Sequence, residues 1–126
     1  MPMDEGELAE FLAAVVPPGE VVAARASGSM KKFVVGWTHA WVVLTDRRLR
    51  VIRQKTREVI VDAALDDQLT VVPTDRAQNN LLWVRFRSAG KKVSVGFPAQ
   101  QAGYNRAALN DATVELLDRL APYTRT

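Results

Sequence analysis

The chain has no cysteine, and His39 is its single histidine. The first absence excludes disulfides, thiolate zinc sites, iron–sulfur ligation and cysteine nucleophiles, and it leaves the redox compartment undetermined. The second leaves a lone imidazole between Trp37, Thr38, Ala40 and Trp41, with no carboxylate beside it in sequence. Such a histidine is a poor metal ligand or general base and reads as a strand residue packed among aromatics. A Gly-rich phosphate loop, a Gly-x-Ser-x-Gly elbow and paired carboxylates on a helix are also missing. Asp66-Asp67 is an adjacent acidic pair, but neighbouring strand or turn residues point apart, which disfavours a shared catalytic site. No enzymatic activity, metal or cofactor is therefore expected. The N-terminus, Met1-Pro2-Met3-Asp4-Glu5, is acidic where a secretory signal is basic, and the apolar stretch after it is interrupted too soon to cross a bilayer. A cytoplasmic location is expected, including the inner face of a membrane.

What is present is an ordinary globular composition. Of 126 residues, 48% are hydrophobic and 25% charged, which fits one domain burying about two-thirds of its unfolded surface. The net charge of +3 gives a mild attraction to anionic surfaces and decides nothing alone. Leu8, Phe11, Leu12 and Val15 recur at helical spacing behind Asp4, Glu5, Glu7 and Glu10, so residues 4–16 read as a short amphipathic helix ended by Pro17-Pro18-Gly19. From Glu20 to Phe97 the pattern changes to short runs of Val, Leu, Ile and aromatics between turn formers. Strands are expected at 21–26, 33–45 (bent or split around Gly36), 48–54, 58–61, 69–72, 81–87 and 92–97. Their alternation, with Leu82, Val84 and Phe86 on one face and Trp83, Arg85 and Arg87 on the other, predicts antiparallel sheets wetted on one side. A last helical stripe, Leu109, Ala112, Thr113, Leu116, Leu117 and Leu120, needs an apolar surface to cover, and Pro122 stops it.

The fold class is thus mainly β (α+β): about seven antiparallel strands, a short N-terminal helix and an amphipathic C-terminal helix as a cap. That order resembles the pleckstrin-homology (PH) superfold, a strongly bent pair of sheets with a helix closing one corner. The run Trp41-Val42-Val43-Leu44-Thr45-Asp46-Arg47-Arg48-Leu49-Arg50-Val51-Ile52 is similar to the second and third strands of bacterial PH-like and GRAM-like domains, with their Leu-Thr-Asp-x-Arg-Leu hairpin. Pro18-Gly19-Glu20 and Ala64-Leu65-Asp66-Asp67 resemble the family's punctuation. The resemblance covers about residues 18–121 of one domain spanning 1–126. In that hairpin Thr45 and Asp46 supply local backbone hydrogen bonds, and Leu44 and Leu49 return to the core face.

In a meander, alternate connections share one end of the sheet. One end then gathers Lys31 and Lys32 with Arg53, Lys55 and Arg57, and the resemblance adds Lys91 and Lys92 from the loop between strands six and seven. Asp46, Asp62, Asp66, Asp67 and Asp75 mostly fall in the other connections, so the domain is expected to be electrically polarised. Such a rim suits an anionic lipid or phosphate headgroup, at about 1 kcal/mol for each nearby cation. It equally suits solvated cations that guard strand ends. The spacing does not reproduce the family's phosphoinositide pattern.

Three roles follow. The first is a non-catalytic PH-like interaction module that binds a protein or itself, with Leu8, Phe11 and Leu12 of the N-terminal helix as candidate partner-binding residues. The second is an anionic-headgroup binder using the basic loops. The third, with nucleic acid the least favoured partner, is a small barrel in which Trp37, Trp41 and Trp83 stack bases beside Arg85 and Arg87.

Overall fold

The computed structural model describes residues 3–31, 37–78, 81–98 and 109–124, with backbone alone at 31, 37 and 74–78. Helix α1 (Glu5–Val15) starts at a cap in which the Asp4 carboxylate accepts from the Glu7 amide at 2.8 Å. Met3 and Leu8 flank that cap and are buried in one cluster, as a hydrophobic staple requires. Beyond the helix Pro17 and Pro18 bar further helical bonds, and Gly19 turns the chain with φ +90°.

Strands β1 (Val22–Lys31), β2 (Trp37–Thr45), β3 (Arg48–Arg53), β4 (Val59–Ala64), β5 (Thr70–Gln78), β6 (Leu81–Ser88) and β7 (Lys91–Pro98) form one antiparallel sheet in the order β4-β3-β2-β1-β7-β6-β5. The end strands β4 and β5 do not join, so the sheet is bent but not closed. β1 runs past Ala26 to Lys31 because Ser27 to Lys31, weak strand formers, each find a partner on β2. The portion 33–36 of the expected second strand lies outside the described residues. β5 extends through Pro73, which an edge strand tolerates, and its register with β6 shifts between Pro73 and Ala77.

The expected β2–β3 hairpin is present, with a division of labour inside it. Thr45 Oγ1 accepts from the Arg47 and Arg48 amides at 3.1 and 2.9 Å, which is local turn chemistry. Asp46 instead reaches across the fold: its carboxylate accepts from the Val21 amide at 2.9 Å and ties the hairpin to the entry of β1. Leu44 and Leu49 face each other and are buried.

β1 meets β7 through one residue pair, Ser29 and Gly96. Beside it a Cβ on Gly28 would lie 2.5 Å from Val95 Cγ1 and 2.9 Å from the Gly96 carbonyl oxygen, so glycine is what lets the two half-sheets approach. The small Ala24 and Ala26 on the inner side of β1 make room for helix α2 (Asp111–Arg119), which lies against that strand. The Asn110 side chain caps α2 by accepting from the Thr113 amide at 2.8 Å. Thr113, Leu116 and Leu120 are buried and Leu117 half-buried, whereas Ala112, expected in the stripe, is exposed. Leu109 is buried ahead of the helix, and a short 3₁₀ turn, Ala121–Tyr123, absorbs Pro122.

The outer side of β1–β3 departs from the one-sided wetting expected of these sheets. Met3, Leu8 and Leu12 form a second core there with Trp41, Val43 and Ile52. β2 is therefore buried on both faces from Ala40 to Thr45, which explains its unbroken apolar run.

Candidate functional site

The antiparallel ladder places the β1–β2, β3–β4 and β6–β7 connections at one end of the sheet, since β7 runs backward beside β1. The connections expected to share an end do so, but the charges they carry are not equivalent. Arg57, at φ 60°, places Nη2 2.8 Å from Glu7 Oε2 on α1. Arg53 is half-buried with Nη1 4.0 Å from Glu58. Lys55 is exposed with no ion pair among the described residues. Lys31 contributes backbone that pairs with Trp37, and Lys32 lies outside the described residues. Two carboxylates, Glu58 and Glu7, therefore stand among the cations of the expected basic rim. Asp46 lies in the opposite β2–β3 turn, and Asp66 and Asp67 lie in the connection that runs from beside Arg48 to the start of β5 opposite Arg87. Asp62 sits within β4 bonded to Arg48, and the side chain of Asp75 lies outside the described residues.

Leu8 and Leu12 are 0% and 5% exposed, and Phe11 packs half-buried against the same cluster. Their partner is this chain's own sheet, so they offer no docking face while α1 is seated. The seat is specific: the buried Trp41 indole N–H donates to the Met3 carbonyl at 2.9 Å. Trp41 is accordingly no stacking platform, and the Trp37 side chain lies outside the described residues. His39 corrects the sequence reading in the other direction. It is exposed on the outer face, opposite Ser29, rather than packed among aromatics.

Outer surface not covered by α1 continues on β6 and β7. Trp83 faces out half-buried, and Arg85 and Arg87 follow it at two-residue steps, exposed. The register sets Gly96 opposite Trp83, Ser94 opposite Arg85, and Lys92 opposite Arg87, with Lys91 opening the strand. The Trp83 ring leans over its glycine, Cη2 lying 3.2 Å from the position a Gly96 Cβ would take. A two-residue turn fixes this register, with φ +50° at Ala89 and +84° at Gly90, the primed geometry that matches strand twist.

Charge pairing distinguishes this hairpin from most arginines of the sheet, although Arg47 and Lys55, exposed in turns, likewise have no ion pair among the described residues. Arg25, Arg48, Arg50, Arg53, Arg57 and Arg119 each face a carboxylate within 4.0 Å. Arg85, Arg87, Lys91 and Lys92 have no carboxylate partner among the described residues. The cause is in the sequence: from Arg76 to Asn110 there is no Asp or Glu, while Arg76, Arg85, Arg87, Lys91, Lys92 and Arg106 all fall in that stretch. The expected rim led attention to loops, and this gap in acidic residues is the signal that leads to the strands.

No group of three or more potential metal-ligating side chains occurs among the described residues, and no described helix is long and apolar enough to cross a membrane. Comparison of the chain with family models, with curated proteins and with solved structures finds no match.

Proposed function

We propose that the chain is a non-catalytic, PH-like interaction module that holds an anionic partner on the outer face of β6 and β7. The open antiparallel sheet with α2 against β1 is compatible with the PH superfold that the Leu-Thr-Asp-Arg-Arg-Leu hairpin resembles. One observation carries the binding reading. Arg85, Arg87 and Lys92 share the exposed outer face, with exposed Lys91 beside them at the turn on the other side of the pleat. All four are without carboxylate partners among the described residues, while most arginines elsewhere on the sheet are paired. Uncompensated charge on a strand face attracts a polyanion, whereas an exposed ion pair contributes little to binding and is screened by salt.

Immobilised heparin, a generic polyanion, tests this. The wild-type domain is expected to be retained at low salt, and R85E/R87E/K91E/K92E to pass through, while K55E elutes close to wild type. Elution of the fourfold variant with wild type would end the reading.

Association of two copies is the second reading. It is favoured by the outer edge of β4, whose backbone groups have no neighbouring strand among the described residues. Sedimentation velocity showing a monomer at every concentration removes it.

A further inference from the structure

We infer that the anionic partner is single-stranded nucleic acid, lying along β6 with a base stacked on Trp83. The inference rests on the reading of the β6–β7 face as the binding surface and adds the partner's chemistry. Trp83, Arg85 and Arg87 share one face of one strand, and each two-residue step advances about 6.6 Å. They form a line, with an aromatic ring at one end and guanidinium groups along it. On β7 the partners of that line are Gly96, buried beneath the Trp83 ring and Leu81, and the exposed Ser94 and Lys92, a hydroxyl and an ammonium group. Such a track suits a linear polyanion whose charges repeat along a flexible backbone and whose bases need flat surfaces.

The row through Trp83 continues across the sheet. Gly96 pairs with Ser29 on β1, and Ser29 with exposed His39 on β2. Gly96 is buried beneath the Trp83 ring and Leu81, so the row presents the half-buried Trp83 ring, then Ser29 and the exposed His39 imidazole. β1, β2, β6 and β7, the strands of this row, contain no Asp or Glu.

A bilayer fits the same face less well. The turn that would touch it first, Ser88-Ala89-Gly90, has no large apolar side chain to insert, and Trp83 lies well behind it on the strand. Arg53 and Arg57 in the neighbouring turn are engaged by Glu58 and Glu7. An acidic peptide would meet the cations but would gain nothing from the rings.

The test is fluorescence anisotropy of a labelled oligothymidylate of about 15 nucleotides, a length near the upper site size of a single small binding domain. Anionic phosphatidylserine vesicles and polyglutamate serve as competitors. Binding is expected at about 50 mM salt, with log K falling against log salt at a slope of about −3 if Arg85, Arg87, Lys91 and Lys92 each meet a phosphate. Replacing Trp83 by leucine weakens binding about five- to a hundredfold, and replacing it by phenylalanine recovers much of the loss. R85Q/R87Q, which alters only exposed side chains, flattens the slope by about 1.4 and supports the inference even where Trp83→Leu does not fold.

Three results overturn it: no binding of the oligonucleotide at low salt, binding indifferent to both Trp83→Leu and Trp83→Phe, or displacement by vesicles at lower anionic charge than by unlabelled oligonucleotide. If heparin retention still depends on the four cations while the oligonucleotide fails to bind, the interaction face stands and the nucleic-acid inference falls. If neither probe binds, both fall.

Discussion

Glu20 and Arg50 are ionic side chains removed almost wholly from solvent, each 3% exposed, and they bond to one another where the chain leaves the α1 linker and enters β1. Arg50 also approaches Asp62 at 3.7 Å. Hydrogen bonding to Arg50 holds the Glu20 carboxyl below its ordinary value of 4.5, against the opposing push of burial. A depressed carboxyl contributes stability that is complete above the ordinary value and is lost as pH falls through the lower, folded value. In urea unfolding the advantage of wild type over Glu20→Gln should therefore be constant above pH 4.5 and shrink below it. Removing one partner of a buried pair strands the other, so Glu20→Gln and Arg50→Met should each cost about 3–5 kcal/mol. The double variant E20L/R50M should recover most of that loss. Additive losses in the double variant would show that the two side chains act independently.

The helix α1 is the element whose role changed most between sequence and structure. Its apolar spacing was legible, and so was the cap at Asp4, but an amphipathic helix does not name the surface it covers. The sheet answered that question, because Trp41, Val43 and Ile52 project from the outer side of β2 and β3 and need a cover. An alternating strand hides such a demand when both faces are apolar; the run from Trp41 to Leu44 gave the period no chance to show itself. Leu8→Ala should then destabilise the isolated domain by about 2–5 kcal/mol, measured by chemical denaturation. A loss within a few tenths of a kcal/mol would return Leu8 to the candidate partner-binding residues. Helix α2 was the easier element. Its stripe marked Leu116 and Leu120 correctly, and only its edge at Ala112 proved exposed.

At the scale of the molecule, one close approach organises the two half-sheets. Gly28 on β1 sits against Val95 and the Gly96 carbonyl, and the single β1–β7 pair lies next to it. A methyl group there must displace backbone as well as side chain, so Gly28→Ala should cost about 1–3 kcal/mol. Melting temperature is the measure, and an unchanged value would mean that the approach tolerates a wider gap.

The sequence by itself determined the elements, their antiparallel order in a mainly β fold with two helices, the β2–β3 hairpin and the inner core face, because period, caps and turn chemistry are local. It also held the stretch free of Asp and Glu that makes β6 and β7 electropositive. Only the tertiary structure decided which cations meet a carboxylate. Arg57 and Glu7 are 50 residues apart, as Arg50 and Glu20 are 30 apart, and no periodicity relates such positions. It likewise decided that His39 faces solvent while Trp41, two residues on and of the same parity, is covered, since a helix of finite length shields one part of a sheet face and leaves the next bare.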